Sequence, residues 1–480
     1  MVVVGSGPNG LAAALVMASA GLSVEVYEAQ PTIGGGARTL DLTLPGYHHD
    51  ICSAVHPMGL ASAFFRAFDL ASHGVDMLHP PVAYGSPLDG GRAALAYRDI
   101  DRTAEGLGRD GKAWLSFMGP LAAKWQHVVD TLMSDLRHVP HDLPTAARLV
   151  LRMLEQGTPA WNLRFAEDRA PTLLSGASAH AIMPPRRLAP AGAGMLLASL
   201  AHGVGWPIPR GGSQSIVDAM ADEVRRLGGR IVAGHEVTSL AELPRARAVL
   251  LDLAPAGLLK LAGDLLPPVY RRWLQAYRYG NAACKVDFAL SGPVPWQAEE
   301  LRGAGTLHIG GDRSEMQRTE RQIAAGHHPD SPFVLASQPG IVDDGRAPDG
   351  NQTLWTYTHV PSGSTRDMGD AVTAQIERFA PGFRDLVLHR NVIPAVDMEH
   401  HNANYIGGDI AAGATTPWQM VARPVPRWDV YRTPLTGVYL ASSSVPPGPG
   451  VHGLCGVNAA GRALRQRFSI RTDPLDLVRG

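Results

Sequence analysis

Cysteine is scarce in this sequence. Cys52, Cys284 and Cys455 are its three cysteines, and they stand far apart with no CxxC spacing. So few and so widely separated thiols argue against a disulfide framework and against a redox dithiol. The sequence therefore indicates a protein of a reducing compartment such as the cytoplasm.

Long apolar runs and an excess of charge are missing as well. No apolar run approaches the roughly 18 residues that a membrane-spanning helix needs. A strand and a glycine loop are predicted at the very start, so no signal peptide is expected. Lysine and arginine total 43 against 44 aspartate and glutamate residues, without a long basic block. Nucleic acid is therefore not an expected partner, whereas peripheral contact with a membrane surface stays open.

The length and the composition indicate a globular protein of several domains. The chain has 480 residues, of which 45% are hydrophobic and 18% are charged. That composition argues against a disordered chain, and the length exceeds the ~100–200 residues of a typical domain. We expect at least two domains with a sizeable core.

Residues 1–28 have the pattern of a strand, a glycine-rich turn, a helix and a second strand. The turn has the spacing GxGxxG. Gly5 makes the tight turn, Gly7 lets the backbone approach a pyrophosphate, and Gly10 lets the helix pack on the sheet. The helix N-terminus offers free N–H groups to phosphates, and Glu28 ends the second strand, where a carboxylate accepts ribose hydroxyls. This unit predicts a Rossmann-type dinucleotide site but does not choose between NAD and FAD.

A second glycine loop, residues 33–39 with the sequence IGGGART, follows this unit. It resembles the GG-x-R-[ST] element of the flavin monooxygenase and amine oxidase superfamily. The resemblance implies FAD as the cofactor, with Arg38 and nearby backbone amides at its pyrophosphate.

A closing motif lies near the C-terminus. Residues 437–441 have the pattern of a buried strand, and PGPGVHG follows at 447–453. This segment resembles the PG-x-G-[VI]-x-G motif of phytoene desaturases and carotenoid isomerases. The resemblance implies that the helix expected from Ala459 points its N-terminus at the flavin pyrimidine, where its dipole stabilises negative charge on the reduced ring. Residues 442–444, all serine, depart from the family pattern, in which glycine or an acidic residue often follows the strand.

The resemblance extends over essentially the whole chain. It is strongest to the phytoene dehydrogenase-related branch that includes the pyridine nucleotide-disulphide oxidoreductase domain-containing proteins. Further segments that carry it are residues 50–57, 285–290, 293–296, 305–311, 355–361, 380–383 and 407–409.

The fold implied by this resemblance is of the α/β class. It combines a discontinuous Rossmann-type FAD-binding domain with an α+β substrate domain, which has a mixed or antiparallel sheet and helices. We expect the FAD-binding domain at residues 1–70, 205–275 and 425–480, and the substrate domain at residues 71–204 and 276–424.

The resemblance also implies that FAD contacts come from both ends and from the middle of the chain. Residues 230–237 and 248–252 are expected to form further strands of the sheet in the FAD-binding domain, and the backbone of Val237 is expected at the adenine. The full set of expected contacts is Gly5, Gly7, Pro8, Asn9, Gly10, Glu28, Ala29, Gly35, Gly36, Ala37, Arg38, Val237, Ser443, Gly450, Val451 and Gly453. No second GxGxxG with a following helix is evident, so a separate NAD(P) domain is not expected. The expected electron acceptor is therefore oxygen or a quinone.

Three residues are candidates for catalysis. Lys285 begins a substrate-domain strand and matches, in its spacing to Trp296, the strand lysine that holds a water near flavin N5 in amine oxidases. The alternative is an ordinary strand-end lysine paired with Asp287. His56 and His452 lie in segments that pass near the flavin in relatives, and each could act as an acid or base near neutral pH. For both histidines the alternative is a structural hydrogen bond near the ring.

Adjacent histidines occur at residues 48–49, 327–328 and 400–401. Neighbouring strand residues point to opposite faces, so such a pair cannot readily chelate one ion. No metal site is expected.

Together these features predict an FAD-dependent oxidoreductase. The leading hypothesis is a desaturase or dehydrogenase that takes a hydride from a largely apolar small molecule, polyene- or carotenoid-like by resemblance. Three alternatives stay open: a redox-neutral flavin-dependent double-bond isomerase, an amine oxidase-like enzyme that oxidises a C–N bond, and a non-catalytic FAD-binding protein. The sequence does not name the substrate, because fold-level analogy does not fix a reaction.

Overall fold

The computed structural model describes residues 1–135, 137–348 and 350–479. In chain order its strands are β1 (Val2–Val4), β2 (Glu25–Tyr27), β3 (Thr39–Asp41), β4 (His48–Asp50), β5 (Met77–Leu78), β6 (Val82–Leu88), β7 (Arg92–Ala96), β8 (Ile208–Pro209), β9 (Arg230–Val232), β10 (Val249–Leu251), β11 (Ala282–Leu290), β12 (Ala304–Ile309), β13 (Val334–Ser337), β14 (Gln352–Val360), β15 (Val387–Ile393) and β16 (Val438–Leu440). Its α-helices are α1 (Pro8–Ser19), α2 (Pro57–Ala61), α3 (Ala63–Phe68), α4 (Ile100–Gly106), α5 (Gly111–Ala122), α6 (Trp125–Leu132), α7 (Leu143–Gln156), α8 (Arg169–Ala179), α9 (Leu188–Gly203), α10 (Gln214–Arg226), α11 (Pro255–Ala262), α12 (Pro268–Gln275), α13 (Arg313–Ala324), α14 (Gly369–Phe379), α15 (Phe383–Leu386), α16 (Met398–His401), α17 (Pro417–Val421), α18 (Leu454–Ala463) and α19 (Pro474–Val478).

Five short strands form a fully parallel sheet in the order β16-β10-β1-β2-β9. Val3 at its centre pairs with Val26 on one side and Leu250 on the other, and all three side chains are buried. Apolar, β-branched strands suit this position because helices cover the faces of a parallel sheet. The helix α1 connects β1 to β2 and packs against α10 and α18. The predicted α/β class with a Rossmann-type sheet is confirmed.

Seven strands form a larger sheet in the order β15-β11-β14-β13-β12-β6-β7. Its pairs are antiparallel except for β12 and β6, which run parallel. The two longest strands, β11 and β14, pair with each other and are buried almost throughout. The helix α8 packs on β6, β7 and β12, and α9 packs on α8. The predicted combination of a mixed sheet with helices is therefore confirmed.

The strands of the two sheets divide along the predicted domain ranges. All five parallel strands lie within residues 1–70, 205–275 and 425–480, and all seven strands of the larger sheet lie within 71–204 and 276–424. The strands β5 and β8 pair across this division. The domain boundaries themselves stay a prediction. Among the described residues, no helix combines the length and the apolar character that crossing a membrane requires.

Two predicted elements have different bounds in the structure. The strand predicted at residues 230–237 ends at Val232, because its partner β2 ends there and the backbone then leaves the sheet. The helix predicted from Ala459 begins earlier, at Leu454, because Gly453 has a φ of +71° and turns the chain into the helix directly. Both corrections concern the ends of elements and leave the type of each element unchanged.

Candidate dinucleotide and substrate site

A cavity of about 770 Å³ runs from the parallel sheet to the larger sheet. At one end its wall includes the first glycine loop, Glu28, Ala29 and Val237. At the other end its wall includes side chains of the larger sheet, among them Trp355 and Tyr357. The cavity therefore joins the predicted dinucleotide site to the predicted substrate domain.

The glycine loop between β1 and α1 is packed too closely for side chains. A Cβ on Gly10 would lie 2.1 Å from the carbonyl oxygen of Gly5, which itself has a φ of +96°. Gly7 is the N-cap of α1 and lines the cavity together with Pro8 and Asn9. The start of α1 thus faces the cavity with its backbone, which is the arrangement that binds a pyrophosphate.

Glu28 is held at the end of β2 by hydrogen bonds to both carboxylate oxygens. Its Oε2 accepts from the N–H and the hydroxyl of Ser6, at 2.8 and 2.6 Å, and its Oε1 accepts from the N–H of Gln30 at 2.9 Å. A carboxylate offers about four acceptor positions, so capacity for a ribose hydroxyl remains. The N–H of His235 donates to the carbonyl oxygen of Glu28 at 2.8 Å, which brings Val237 to the same end of the cavity.

The second glycine loop packs against the first. A Cβ on Gly35 would lie 3.1 Å from the Cα of Gly7, and Gly35 and Gly36 both line the cavity. The side chain of Arg38 donates to backbone carbonyl oxygens, including that of Gly35 at 2.9 Å, and neither Ala37 nor Arg38 belongs to the cavity wall. The structure therefore brings this loop to the cavity through its backbone, and a contact of Arg38 with a pyrophosphate stays a prediction.

The closing motif contributes Gly450 and Val451 to the cavity wall, and Ser443 lies there too. The Oγ of Ser443 accepts a hydrogen bond of 3.3 Å from the side-chain amide of Asn9, which joins the serine segment to the first glycine loop. Gly453 immediately precedes α18 but does not line the cavity. Its contact with FAD stays a prediction.

Burial lowers the pKa of both candidate histidines, His56 and His452, to about 4. The ring nitrogens of His452 both have backbone partners: Nε2 lies 3.1 Å from the carbonyl oxygen of Gly448, and Nδ1 lies 3.1 Å from the N–H of Leu454. This bonding favours the structural alternative for His452, which does not line the cavity. His56 does line it; its Nε2 lies 2.7 Å from the Oγ of Ser213, and its buried Nδ1 has no partner among the described residues. A catalytic role for either stays a prediction.

The strand predicted to begin at Lys285 begins earlier, at Ala282, so Lys285 lies inside β11 and not at a strand end. It is buried there and forms an ion pair with Asp287, which is also buried. Its Nζ lies 5.0 Å from the ring centroid of Trp355, and the tryptophan rather than the lysine lines the cavity. Burial lowers the pKa of Lys285, while Asp287 opposes that shift. The Nδ1 of His49 lies 3.5 Å from the same carboxylate oxygen of Asp287. This geometry favours the ion-pair alternative for Lys285, and its catalytic role stays a prediction.

Asp252 is a residue of the cavity that sequence reasoning did not single out. It follows β10, and its Oδ2 accepts a hydrogen bond of 2.9 Å from the N–H of Gly10. Burial raises the pKa of Asp252 to about 7; the neighbouring Glu28 adds to the shift and the bond from Gly10 opposes it. The signal was present in the sequence, because β10 is predicted in the same parallel sheet and such sheets bind ligands outside the carboxyl ends of their strands. Arg423 and His180 are further lining residues that it missed.

Metal-ligating side chains come together at one place among the described residues, formed by Asp130, His138 and His141. The Oδ1 of Asp130 lies 2.7 Å from the Nε2 of His138 and 2.9 Å from the Nδ1 of His141. The contacts of both histidines with the Asp130 carboxylate account for this grouping, and His141 is exposed to solvent. None of the adjacent histidine pairs discussed above belongs to it.

Comparison with known proteins shows what this chain is similar to. Residues 3–69 match the family model of NAD(P)-binding Rossmann-like domains. The chain is 24% identical to the pyridine nucleotide-disulfide oxidoreductase domain-containing protein 2 of Rattus norvegicus, over 96% of this chain and 92% of that protein. It is 25% identical to the phytoene dehydrogenase of Streptomyces griseus, over 83% of this chain and 82% of that protein. Over most of its length the chain is therefore similar to phytoene dehydrogenase and related oxidoreductases.

Solved structures share the fold of this chain. An oxidoreductase from Methanosarcina mazei matches it with a TM-score of 0.63 at 16% identity, over 97% of this chain and 99% of that one. A triple mutant of putrescine oxidase matches with a TM-score of 0.59 at 14% identity, over 98% and 97% of the two chains. These structures show the shared fold, and the curated relatives and the fold together make this chain an oxidoreductase of the FAD-dependent type. Its two glycine loops, Glu28 and the start of α1 fit the dinucleotide part of FAD.

Proposed function

We propose that this protein is an FAD-dependent dehydrogenase that introduces a double bond into a largely apolar, polyene-like small molecule. The observation that carries the proposal is the cavity, which continues from the dinucleotide site into a chamber of mostly apolar and aromatic side chains. The side chains of that chamber include Met153, Leu196, Leu197, Trp206, Leu335 and Trp355.

The chemistry divides between the cofactor and the chain. When bound, FAD supplies a hydride acceptor. The substrate would give up one hydride and one proton as its C–C bond becomes a C=C bond, and an acceptor of the oxygen or quinone class would then take up both electrons and two protons. The residues of the chain would bind and orient: the backbone at the start of α1 would hold the pyrophosphate, Glu28 would accept a ribose hydroxyl, and the chamber would exclude water from the reacting carbon.

An amine substrate fits the site less well. The amine oxidase alternative depends on Lys285 holding a water at the cavity, whereas this lysine is paired with Asp287 and lies outside the cavity wall. Trp355 lies between Lys285 and the cavity, since it contacts the lysine and lines the cavity wall. These contacts support an apolar substrate that loses a hydride from carbon over an amine substrate.

Anaerobic titration of the FAD-loaded protein tests the proposed function. Phytoene in detergent micelles is the probe, with saturated squalane and putrescine as controls. Loss of the visible flavin absorbance with phytoene alone supports the proposal. Bleaching by putrescine alone would favour amine oxidation, and conversion of phytoene only after chemical reduction of the flavin would favour isomerisation. Flavin absorbance and phytoene that both stay unchanged under every condition would overturn the proposal in favour of a non-catalytic protein.

We expect Asp252→Asn to tighten FAD binding above pH 7 and to leave it unchanged in mild acid. Above its pKa of about 7, Asp252 places a negative charge beside the start of α1, where the pyrophosphate binds. The asparagine keeps an acceptor for the N–H of Gly10 but carries no charge. FAD titration of the apoprotein by fluorescence should give a roughly tenfold lower Kd for the variant at about pH 8.5 and equal values at about pH 5.5.

The same substitution should change the pH dependence of stability. Because the pKa of Asp252 is raised in the folded protein, its protonated form contributes stability that is full below about pH 4 and is lost as the pH rises through about 7. Chemical unfolding of the apoprotein should show this loss in the parent and not in Asp252→Asn. In the FAD titration, a ratio of parent to variant Kd that is the same at about pH 8.5 and about pH 5.5 would contradict the negative charge assigned to Asp252.

A further inference from the structure

Two histidines meet at the end of the cavity that is formed by the larger sheet. The Nε2 of His180, at the end of α8, lies 2.9 Å from the Nε2 of His308 in β12. Trp206 packs edge-on against both rings, with centroid distances of 5.5 and 5.8 Å. His308 is completely buried, whereas His180 lines the cavity.

Both imidazoles are neutral at physiological pH. Burial lowers the pKa of His180 to about 3, and burial lowers the pKa of His308 well below its usual value. A neutral imidazole carries a single N–H. Since the two Nε2 atoms are within hydrogen-bond distance, one of them donates to the other.

The surroundings of His308 decide which ring donates. Its Nδ1 is buried without a partner among the described residues, and it lies so close to Gly176 that a Cβ there would be 2.5 Å away. A buried N–H without an acceptor costs more free energy than an unused lone pair, and it is correspondingly rarer in proteins. The proton of His308 accordingly sits on Nε2 and is donated to His180. The Nε2 of His180 then accepts, so its own proton is on Nδ1.

The Nδ1–H of His180 has no acceptor in the described part of the chain. The ring of His180 packs against that of Trp206, and the titratable group that acts on it is His359, which is itself bonded to the buried Glu320. Leu335 and Tyr357 share the sheet face of His308, because the three residues pair in register across β12, β13 and β14. Thr306, two residues before His308 on that face, lines the cavity with a buried hydroxyl that is also without a partner.

We propose that His180 is a specificity-determining residue that donates a hydrogen bond to a neutral oxygen, a carbonyl or a hydroxyl, on the otherwise apolar substrate. His308 is a positioning residue that fixes the tautomer of His180, and the hydroxyl of Thr306 completes the polar end of the chamber. The proposed apolar substrate is therefore narrowed to uncharged molecules that carry a carbonyl or hydroxyl oxygen. This inference rests on the proposed function, because it assigns the substrate end of the same cavity.

Ligand binding to the FAD-loaded protein tests the inference without turnover. The probes are decan-2-one, decan-2-ol, decane and decylamine, and the two readouts are the flavin difference spectrum and quenching of tryptophan fluorescence. A neutral hydrogen bond stabilises by about 1 kcal/mol, so decan-2-one should bind roughly five- to tenfold more tightly than decane. Comparison of the ketone with the alcohol distinguishes the two oxygen groups.

Variants separate this hydrogen bond from packing. His180→Leu should remove the preference for the ketone while leaving the Kd of decane and the flavin content unchanged. His180→Gln, which keeps an N–H donor, should retain part of the preference. His308→Gln can still donate a hydrogen bond to His180 and should retain the preference for the ketone. His308→Met cannot donate and should reduce that preference while the Kd of decane stays unchanged. A purely structural role of His308 would not produce this selective loss.

The outcomes distinguish this inference from the proposed function. Equal Kd values for the ketone and decane in the parent, no binding of the ketone, tightest binding of decylamine, or a full preference surviving in His180→Leu would each overturn the inference. A parent protein that binds the ketone selectively but takes up no FAD would instead refute the proposed function and leave the polar end of the chamber in place.

Discussion

The Gly10→Ala variant is expected to lose most of its bound FAD. The added Cβ would lie 2.1 Å from the carbonyl oxygen of Gly5 and 3.2 Å from the Cβ of Asp252. Neither neighbour can rotate away, so the start of α1 must move away from β1, and the backbone that faces the pyrophosphate moves with it. Overpacking of this kind costs about 1–3 kcal/mol, which corresponds to roughly 5- to 150-fold weaker binding. The flavin-to-protein absorbance ratio after gel filtration measures this effect.

Gly119→Ala is the matched control for this substitution. Gly119 is also a helical glycine, in α5, and a Cβ there would have nothing within 4 Å. Gly119 lies outside the cavity wall, so this variant should keep its FAD. Pro120 follows it and offsets the preference of alanine for a helix, so little change in stability is expected. If Gly10→Ala kept as much FAD as Gly119→Ala, the first glycine loop would not be the pyrophosphate site.

Lys285→Met should destabilise the protein strongly. The ammonium of Lys285 and the carboxylate of Asp287 are both buried, with side-chain exposures of 1% and 0%. Removing one partner of such a pair leaves an uncompensated charge in the interior, which costs about 3–5 kcal/mol. Chemical unfolding followed by circular dichroism should show a lower midpoint at near neutral pH.

The double variant Lys285→Met with Asp287→Leu separates a structural lysine from a catalytic one. Replacing a whole buried pair by apolar side chains is often neutral or stabilising, so the double variant should recover most of the lost stability. If it also recovers flavin reduction by the substrate, Lys285 takes no part in the chemistry. A single variant that unfolds like the parent but no longer reduces its flavin would show instead that the lysine is catalytic.

The parallel sheet and the first glycine loop could be predicted because their signals are local. Residues 1–28 contain the strand, the turn, the helix and the acidic residue of one complete unit, and their spacing leaves little freedom. The clash between Gly10 and Gly5 shows why alanine would not serve at that position. The end of β9 was predicted less well, because a strand ends where its partner ends and β9 pairs with the distant β2.

The chemistry of the chamber could not be predicted in the same way. Lys285 and Trp355 belong to strands that pair only in the folded chain, so the sequence could not show that the tryptophan lines the cavity in place of the lysine. His180 and His308 are 128 residues apart and meet where α8 packs on β12. His308 lies in the segment 305–311 that carries the family resemblance, whereas His180 lies in no such segment. The sequence singled out neither histidine, because their significance depends on their contact with each other.

The visible absorption spectrum of the purified protein, with chromatography of the cofactor released on mild denaturation, tests the central claim most directly. The account predicts the two-band spectrum of an oxidised flavin and release of free FAD. A colourless protein that also takes up no added FAD would contradict it and leave a dinucleotide fold bound to some other nucleotide.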